Sequence, residues 1–464
     1  MKSLTKQRID VKQAALGATI LLFVMILIVC ATHFQNVAAI VPGTNEMVSV
    51  NNTGKGQGGN ENSPFGNQGD YNISPDGRFV SFSSKASNLV VNDTNSKIDI
   101  FLRDLVNNTT ARMSTSASGV QSNNDSNGGQ AVSQTGRYVA FSSLASNLID
   151  GQTITSTSPQ IYLRDTLTNT VSLVTQKADG TLGNAPVTTV FQVSSDGRFV
   201  VWVGQKNTNL NPSGGMINTD SHLYLADLVA RTFTLLSPLD GSGSSGTSES
   251  SMSCDGSFIV FTTTAQLDAG DTDADQDIYL MDIRNGMKIK YLTPGSNIIG
   301  FRPSISCNGN FITFNSPRSL VAGVPTGNTN THIYLYNRID ESLKVVDTTT
   351  SGILGDQNAS GPAGVDDSGN VVFSSNAVNL GASATRAQFF LKHYSTGTLE
   401  LVSRTPYNTV STGAIGKSSI SSDGKKVVYP TGPQASSLFG GDAGNWQSYD
   451  TNGKGDIVMS LTGL

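Results

Sequence analysis

The sequence predicts an all-β fold: a seven-bladed β-propeller of four-stranded antiparallel blades, its ring closed by the amino-terminal strand, preceded by one apolar helix. Three observations lead there. A phrase recurs, ISPDGRFVSFSSKASNL at 73–89 and VSQTGRYVAFSSLASNL at 132–148. The glycine of its short turn falls at Gly77, Gly136, Gly197, Gly256, Gly309, Gly369 and Gly424, at intervals of 59, 61, 59, 53, 60 and 55 residues. Periods of that order mark solenoids, propellers and arrays. Third, the two ends of the chain complement each other, which favours a ring over an open stack.

Each unit has the same grammar. A short Ser-rich strand enters a tight turn (ISPDG, VSQTG, VSSDG, MSCDG, ISCNG, VDDSG, ISSDG). Asp-Gly and Asn-Gly favour two-residue hairpins because both residues tolerate positive φ. An alternating strand follows, such as RFVSFSS or SFIVFTT, then a polar loop, then a third strand, such as DIFLRD, HLYLAD or DIYLMD. A short polar turn leads to a fourth strand, such as ARMST. Aromatic and β-branched residues dominate, as strands prefer. Small serines suit strands crowded at a propeller axis. The last unit ends DTNGKGDIVMSLTGL, which matches DTNSKIDIFLRDL of the first unit and so reaches only a third strand. EMVSVNNTGKG at 46–56 resembles a fourth strand and its exit. The amino-terminal strand is therefore expected to complete the seventh sheet and leave no free edge.

Ahead of the repeats, residues 14–31 read AALGATILLFVMILIVCA without a charge. As a helix this run reaches about 27 Å, near the thickness of a bilayer core. Lys2, Lys6, Arg8 and Lys12 precede it, so the positive-inside rule sends the rest of the chain out of the cytoplasm. The expected organisation is a basic tail (1–13), a transmembrane anchor or signal helix (14–32), a linker (33–45) and the propeller (46–464). Cleavage near Ala39 would instead release a secreted protein. Net charge is −5 over 464 residues, and only 14% are charged. No basic stripe is present to neutralise phosphates, which excludes a nucleic-acid binder.

The pattern S-x-D-G-R-[FY]-[VI]-x-[FW]-S, followed by D-[IY]-[YF]-L-x-D, resembles the TolB-like, WD-repeat-like β-propeller family over residues 46–464. The resemblance implies protein–protein contacts in the periplasm or at the cell surface. Neither the extra α/β domain that precedes the propeller in TolB nor a hydrolase domain after it is expected from these residues.

Parity places turns 1–2 and 3–4 at one end and loops 2–3 and 4–1 at the other. The first set is short and the second long, so binding is expected on the long-loop face. The longest loop, 430–449, carries Phe439, Trp446 and Tyr449 as candidate binding anchors. DTDADQD places Asp271, Asp273, Asp275 and Asp277 at alternate positions, a spacing that can offer calcium its oxygens. Related loops have Lys97 and Lys454 where this one has Asp275, so lysine is the expected internal counter-charge. Without calcium the loop is a solvated acidic turn. His222 and His332 open third strands, where Asp99, Gln160, Asp277, Gln388 and Asp456 stand in other units. A repeated polar contact is expected there, not zinc. Cys254 and Cys307 match in neighbouring units, but inner strands are expected to lie beyond the ~7 Å Cα limit for a bridge. Neither G-x-S-x-G nor H-E-x-x-H nor a phosphate loop occurs.

The expected function is a non-enzymatic, membrane-tethered, monomeric module binding a protein or cell-envelope polymer. The alternatives are a glycan-acting hydrolase or lyase working at the central channel, and a structural surface-layer component.

Overall fold

The computed structural model describes residues 45–464, apart from 53–57, 62, 64–70, 128, 206–208, 211–220, 237–248, 295–298, 383–386, 404–416 and 431–456. Residues 14–31 lie outside the described residues, among which no helix is long and apolar enough to cross a membrane.

The described strands form seven sheets of four strands each. Six blades are continuous in sequence, at 71–112, 130–173, 187–235, 250–291, 301–345 and 359–401. The seventh combines Ser419–Ile420, Lys426–Pro430 and Ile457–Leu461 with the amino-terminal strand Asn45–Met47. That strand runs antiparallel to the last one, in the register Asn45↔Ser460, Glu46↔Met459, Met47↔Val458. The ring closes as the chain ends foretold.

Apolar alternation divides the core among the joints. Seven hydrophobic clusters occur, each shared by two adjacent blades. Within six blades an aromatic of the second strand lies beside one of the third, from Trp202–Tyr224 at 5.3 Å to Phe261–Tyr279 at 6.1 Å between centroids.

The recurring turn phrase has a local reason for every letter. In ISPDGRF, Ser74 Oγ donates to Asp76 Oδ1 (2.5 Å) and accepts the Phe79 amide (2.9 Å). Arg78 reaches back to Asp104 at the end of the third strand (2.7 Å) and stacks on Phe79 at 4.8 Å. Arg137–Asp165 and Arg198–Asp227 repeat the pair at 2.8 and 2.6 Å. The guanidinium of Arg137 holds the Asp165 carboxyl down at about 2. The glycine is fixed twice over. Gly136 has φ +72°, and a Cβ there would stand 2.2 Å from Phe79 of the preceding blade. Gly197, Gly256, Gly309 and Gly369 receive Tyr138, Phe199, Phe258 and Phe311 in the same way. Each aromatic thus keys into the next blade's turn.

These turns converge on the axis, where hydrogen bonds link every blade to the next. Asp76 N donates to Gln134 O, Ser195 N to Cys254 O, Cys254 N to Cys307 O, Asp367 N to Ser422 O, and Ser422 N to Pro75 O, all at 2.7–3.1 Å. Ser195 Oγ to Gln134 Oε1 (3.0 Å) and Asn308 N to Asp367 Oδ1 (2.7 Å) complete the circle. This convergence corrects the reading of the cysteines. Cys254 and Cys307 form a disulfide with Cα atoms 4.6 Å apart, because they sit in the inward-folded turns and not within the strands.

The bridge spans 53 residues of sequence and joins the fourth and fifth blades. Replacing both cysteines by serine is expected to lower unfolding stability by about 2–4 kcal/mol, since the unfolded chain loses a cross-link. Denaturant titration of the variant against the oxidised parent checks this. Coincident curves would show that the bridge adds nothing.

Candidate functional site

The same convergence makes the two ends of the channel unlike. At the turn end, Pro75, Cys254, Cys307 and Ser422 form the floor of a cavity of about 280 Å³. Its walls are the small residues of the first strands, among them Ala131, Ser251, Ser304, Ala363 and Ser419. First strands run from the loop end toward the turn end, so residues that open them stand at the loop-end mouth.

Three charged residues line the cavity at that mouth: Glu249, Arg302 and Lys417. Glu249 accepts a hydrogen bond from the Arg302 backbone amide, and burial pushes its carboxyl above the usual range. Arg302 has φ +56° at an irregularity in strand Phe301–Ile305, where the register shifts between Phe301 and Ser304. Bulges of this kind re-aim side chains. Lys417 Nζ donates to Asn72 Oδ1 at 2.9 Å, and Asn72 Nδ2 donates to Gln130 O at 2.7 Å. The cavity lining therefore offers two cations and one half-buried carboxyl, with Arg302 next to Glu249 and Lys417 held on Asn72. Sequence reading passed over all three. A signal existed: each stands seven residues before its turn glycine, at Gly256, Gly309 and Gly424.

The candidates read from sequence divide. Phe439, Trp446 and Tyr449 lie outside the described residues. Of the four aspartates, Asp271, Asp273 and Asp277 come together, with carboxylate oxygens within 4.8 Å of one another. Asp275 is not in that group; its amide donates to Asp273 Oδ1 at 2.9 Å and shapes the turn. Asp271 Oδ2 accepts the Tyr279 hydroxyl at 2.5 Å. Asp277 Oδ1 accepts Thr293 Oγ1 at 2.7 Å and the Tyr291 hydroxyl at 3.0 Å. Burial, with the carboxylates of Asp271 and Asp273, pushes Asp277 up to about 6 against those two hydrogen bonds.

Part of this arrangement is common to the blades. The buried residue opening a third strand pairs with a residue just past the fourth. Ser114 Oγ meets Asp99, Thr175 meets Gln160, and Ser403 meets Gln388, at 2.5–2.7 Å. In the fifth blade His332 Nδ1 and Asp347 Oδ2 make the contact at 2.7 Å. The expected repeated polar contact is present. Among the described residues no metal-ligating cluster includes either His222 or His332.

No family model matches the sequence, and a search of curated protein sequences finds no relative. Solved structures do share the architecture. TolB from Acinetobacter baumannii is 13% identical, with 70% of this chain and 66% of that one covered and a TM-score of 0.39. The β-propeller domain of the Trilobed protease from Pyrococcus furiosus is 13% identical, with coverages of 78% and 90% and a TM-score of 0.46. An oligogalacturonate lyase solved in complex with manganese is 13% identical, with coverages of 91% and 97% and a TM-score of 0.50. At such identities the likeness is one of fold. The protein is a seven-bladed β-propeller of four-stranded antiparallel blades.

Proposed function

We propose that the protein is a non-enzymatic, extracytoplasmic binding module that takes a protein or cell-envelope polymer at the loop-end mouth of its channel. The asymmetry of the two ends carries the reading. At one end the turns of successive blades are linked by hydrogen bonds and a disulfide, whereas Glu249, Arg302 and Lys417 line the cavity where first strands begin, on the face to which the sequence assigns the long loops. Two cations at the mouth suit a partner presenting carboxylates. The disulfide supports an oxidising compartment, in keeping with export directed by residues 14–31 and the basic tail before them. In this reading residues 14–31 tether the propeller to the membrane and the protein acts as a monomer.

The test is capture from cell-envelope extract by the purified protein and by the Arg302→Ala/Lys417→Ala variant. The parent is expected to retain a partner that the variant retains at least about tenfold less, the scale expected for losing charged hydrogen bonds. Equal retention by both would move the site elsewhere. A glycan-acting enzyme is the second reading. Glu249 is the only carboxylate among the described residues lining the cavity, which disfavours hydrolysis by paired carboxylates. A carboxyl next to Arg302, in a cavity that Lys417 also lines, is the feature that favours elimination from an acidic sugar within this second reading. Formation of an unsaturated product from acidic polysaccharides would favour that reading over the first.

A further inference from the structure

We infer that the loop entering the third strand of the fourth blade holds a calcium ion between Asp271, Asp273 and Asp277. The first blade supplies an internal comparison. Strand registers align Asp93, Asn95, Asp99 and Arg112 with Asp271, Asp273, Asp277 and Tyr291, since Phe101 pairs with Arg112 and Tyr279 with Tyr291. In the first blade Arg112 Nη1 lies 2.9 Å from Asp93 Oδ1 and 3.3 Å from Asp99 Oδ2. Asn95 Nδ2 donates to the same Asp99 Oδ2 at 2.9 Å. A guanidinium and an amide thus fill the centre of that loop. Lys97, the counter-charge expected from sequence, does not make either ion pair.

The fourth blade keeps the two carboxylates and removes both donors. Asp273 replaces the amide with a third carboxylate, and Tyr291 replaces the guanidinium with a hydroxyl that turns to Asp277 Oδ1. Asp277 is fully buried, and its Oδ2, the counterpart of the oxygen that Arg112 and Asn95 serve in the first blade, has no hydrogen-bond partner among the described residues. A buried carboxylate oxygen left without a donor is costly. A cation at the position of the missing guanidinium removes that cost. The ligand set is all oxygen, with neither imidazole nor thiolate, which selects a hard cation. A loop of alternating carboxylates with room to adjust suits calcium, whereas magnesium demands a tighter octahedron.

The test uses the purified protein, stripped with chelator and returned to millimolar calcium or magnesium. Calcium at a hundredfold excess over its dissociation constant is expected to raise the melting temperature by about 3 °C, and magnesium by much less. Terbium luminescence, sensitised by Tyr279 and Tyr291, gives a direct reading of occupancy. Asp277→Asn is expected to abolish both signals. Tyr291→Arg, which installs the first blade's solution, is expected to lose the calcium response and to melt at or above the stripped parent. If that variant fails to fold, Asp273→Asn gives the same reading with a smaller change of shape, and it is expected to lose the response. An unmoved melting curve and silent terbium in the parent would overturn the site. So would a calcium response that survives Tyr291→Arg and Asp273→Asn.

Discussion

A chain lacking residues 45–50 is expected to lose about 5 kcal/mol or more of stability and to aggregate on mild heating. The removed segment contains Met47, Val48 and Val50, all buried, and burial of such side chains stabilises by about 1.5–3 kcal/mol each. Val48 belongs to the cluster that joins the seventh and first blades, beside Tyr71, Phe82 and Ile457. Its amide donates to Ile457 O at 2.8 Å, and Ser49 Oγ accepts the Ile457 amide at 3.2 Å. The Val50 carbonyl also accepts Thr110 Oγ1 of the first blade at 2.6 Å. Deletion therefore opens the joint and bares the apolar last strand, Ile457–Leu461, as a free edge. Calorimetry and light scattering on heating read both effects. A truncated protein that melts with the parent would mean that the seventh sheet stands on three strands and the ring needs no closure.

The second large effect is expected at Gly136. Alanine there carries a left-handed backbone cost of about 1–2 kcal/mol. It also drives a methyl group into Phe79, whose Cδ2 would lie 2.2 Å away, so the ring must leave its place against the turn. Together these are expected to cost about 3 kcal/mol. Two controls separate the terms. Gly180 has φ +87° with nothing within 4 Å of a built Cβ, so Gly180→Ala carries only the backbone term. In a Phe79→Ala background the steric term disappears, and a double-mutant cycle is expected to show coupling above about 1 kcal/mol. Equal losses at Gly136 and Gly180, with no coupling to Phe79, would mean that the aromatic and the glycine are not interlocked.

What the sequence made legible follows from what repetition preserves. A turn that needs a positive φ keeps its glycine in all seven units, with serine in six and the following arginine in three, so the blades and their shared turn face could be read. Closure was legible because the partial copy 450–464 lacked what 46–56 supplied. The polar contact under the loops was legible because seven residues at one position could be compared. The rest depended on distances between segments that a linear reading cannot see. Lys97 is near Asp93 and Asp99 in sequence, but Arg112 reaches them because antiparallel pairing sets it alongside Phe101. The disulfide was missed because strand spacing was applied to residues in turns, where Cα atoms approach to 4.6 Å. Arg302 was missed because its aim depends on a shifted register after Phe301.

Closure by the amino-terminal strand also dictates an order of assembly. Six blades are local in the chain, and each can pair as soon as it is made. Asn45–Met47 pairs with residues 458–460, and Ser49 Oγ accepts from an amide 408 residues away. The first strand to emerge during synthesis must therefore wait for the last, while loop-closure entropy and slow non-local pairing oppose their meeting. The bridge between Cys254 and Cys307 joins blades that are finished earlier, so it can lock half-made rings before the final strand arrives. A chain stalled short of residue 457 carries a sticky apolar segment at its beginning with nothing to receive it. Three residues at the start of the fold thus act as a check on length: only a chain that carries both Asn45–Met47 and the strand Ile457–Leu461 closes the ring.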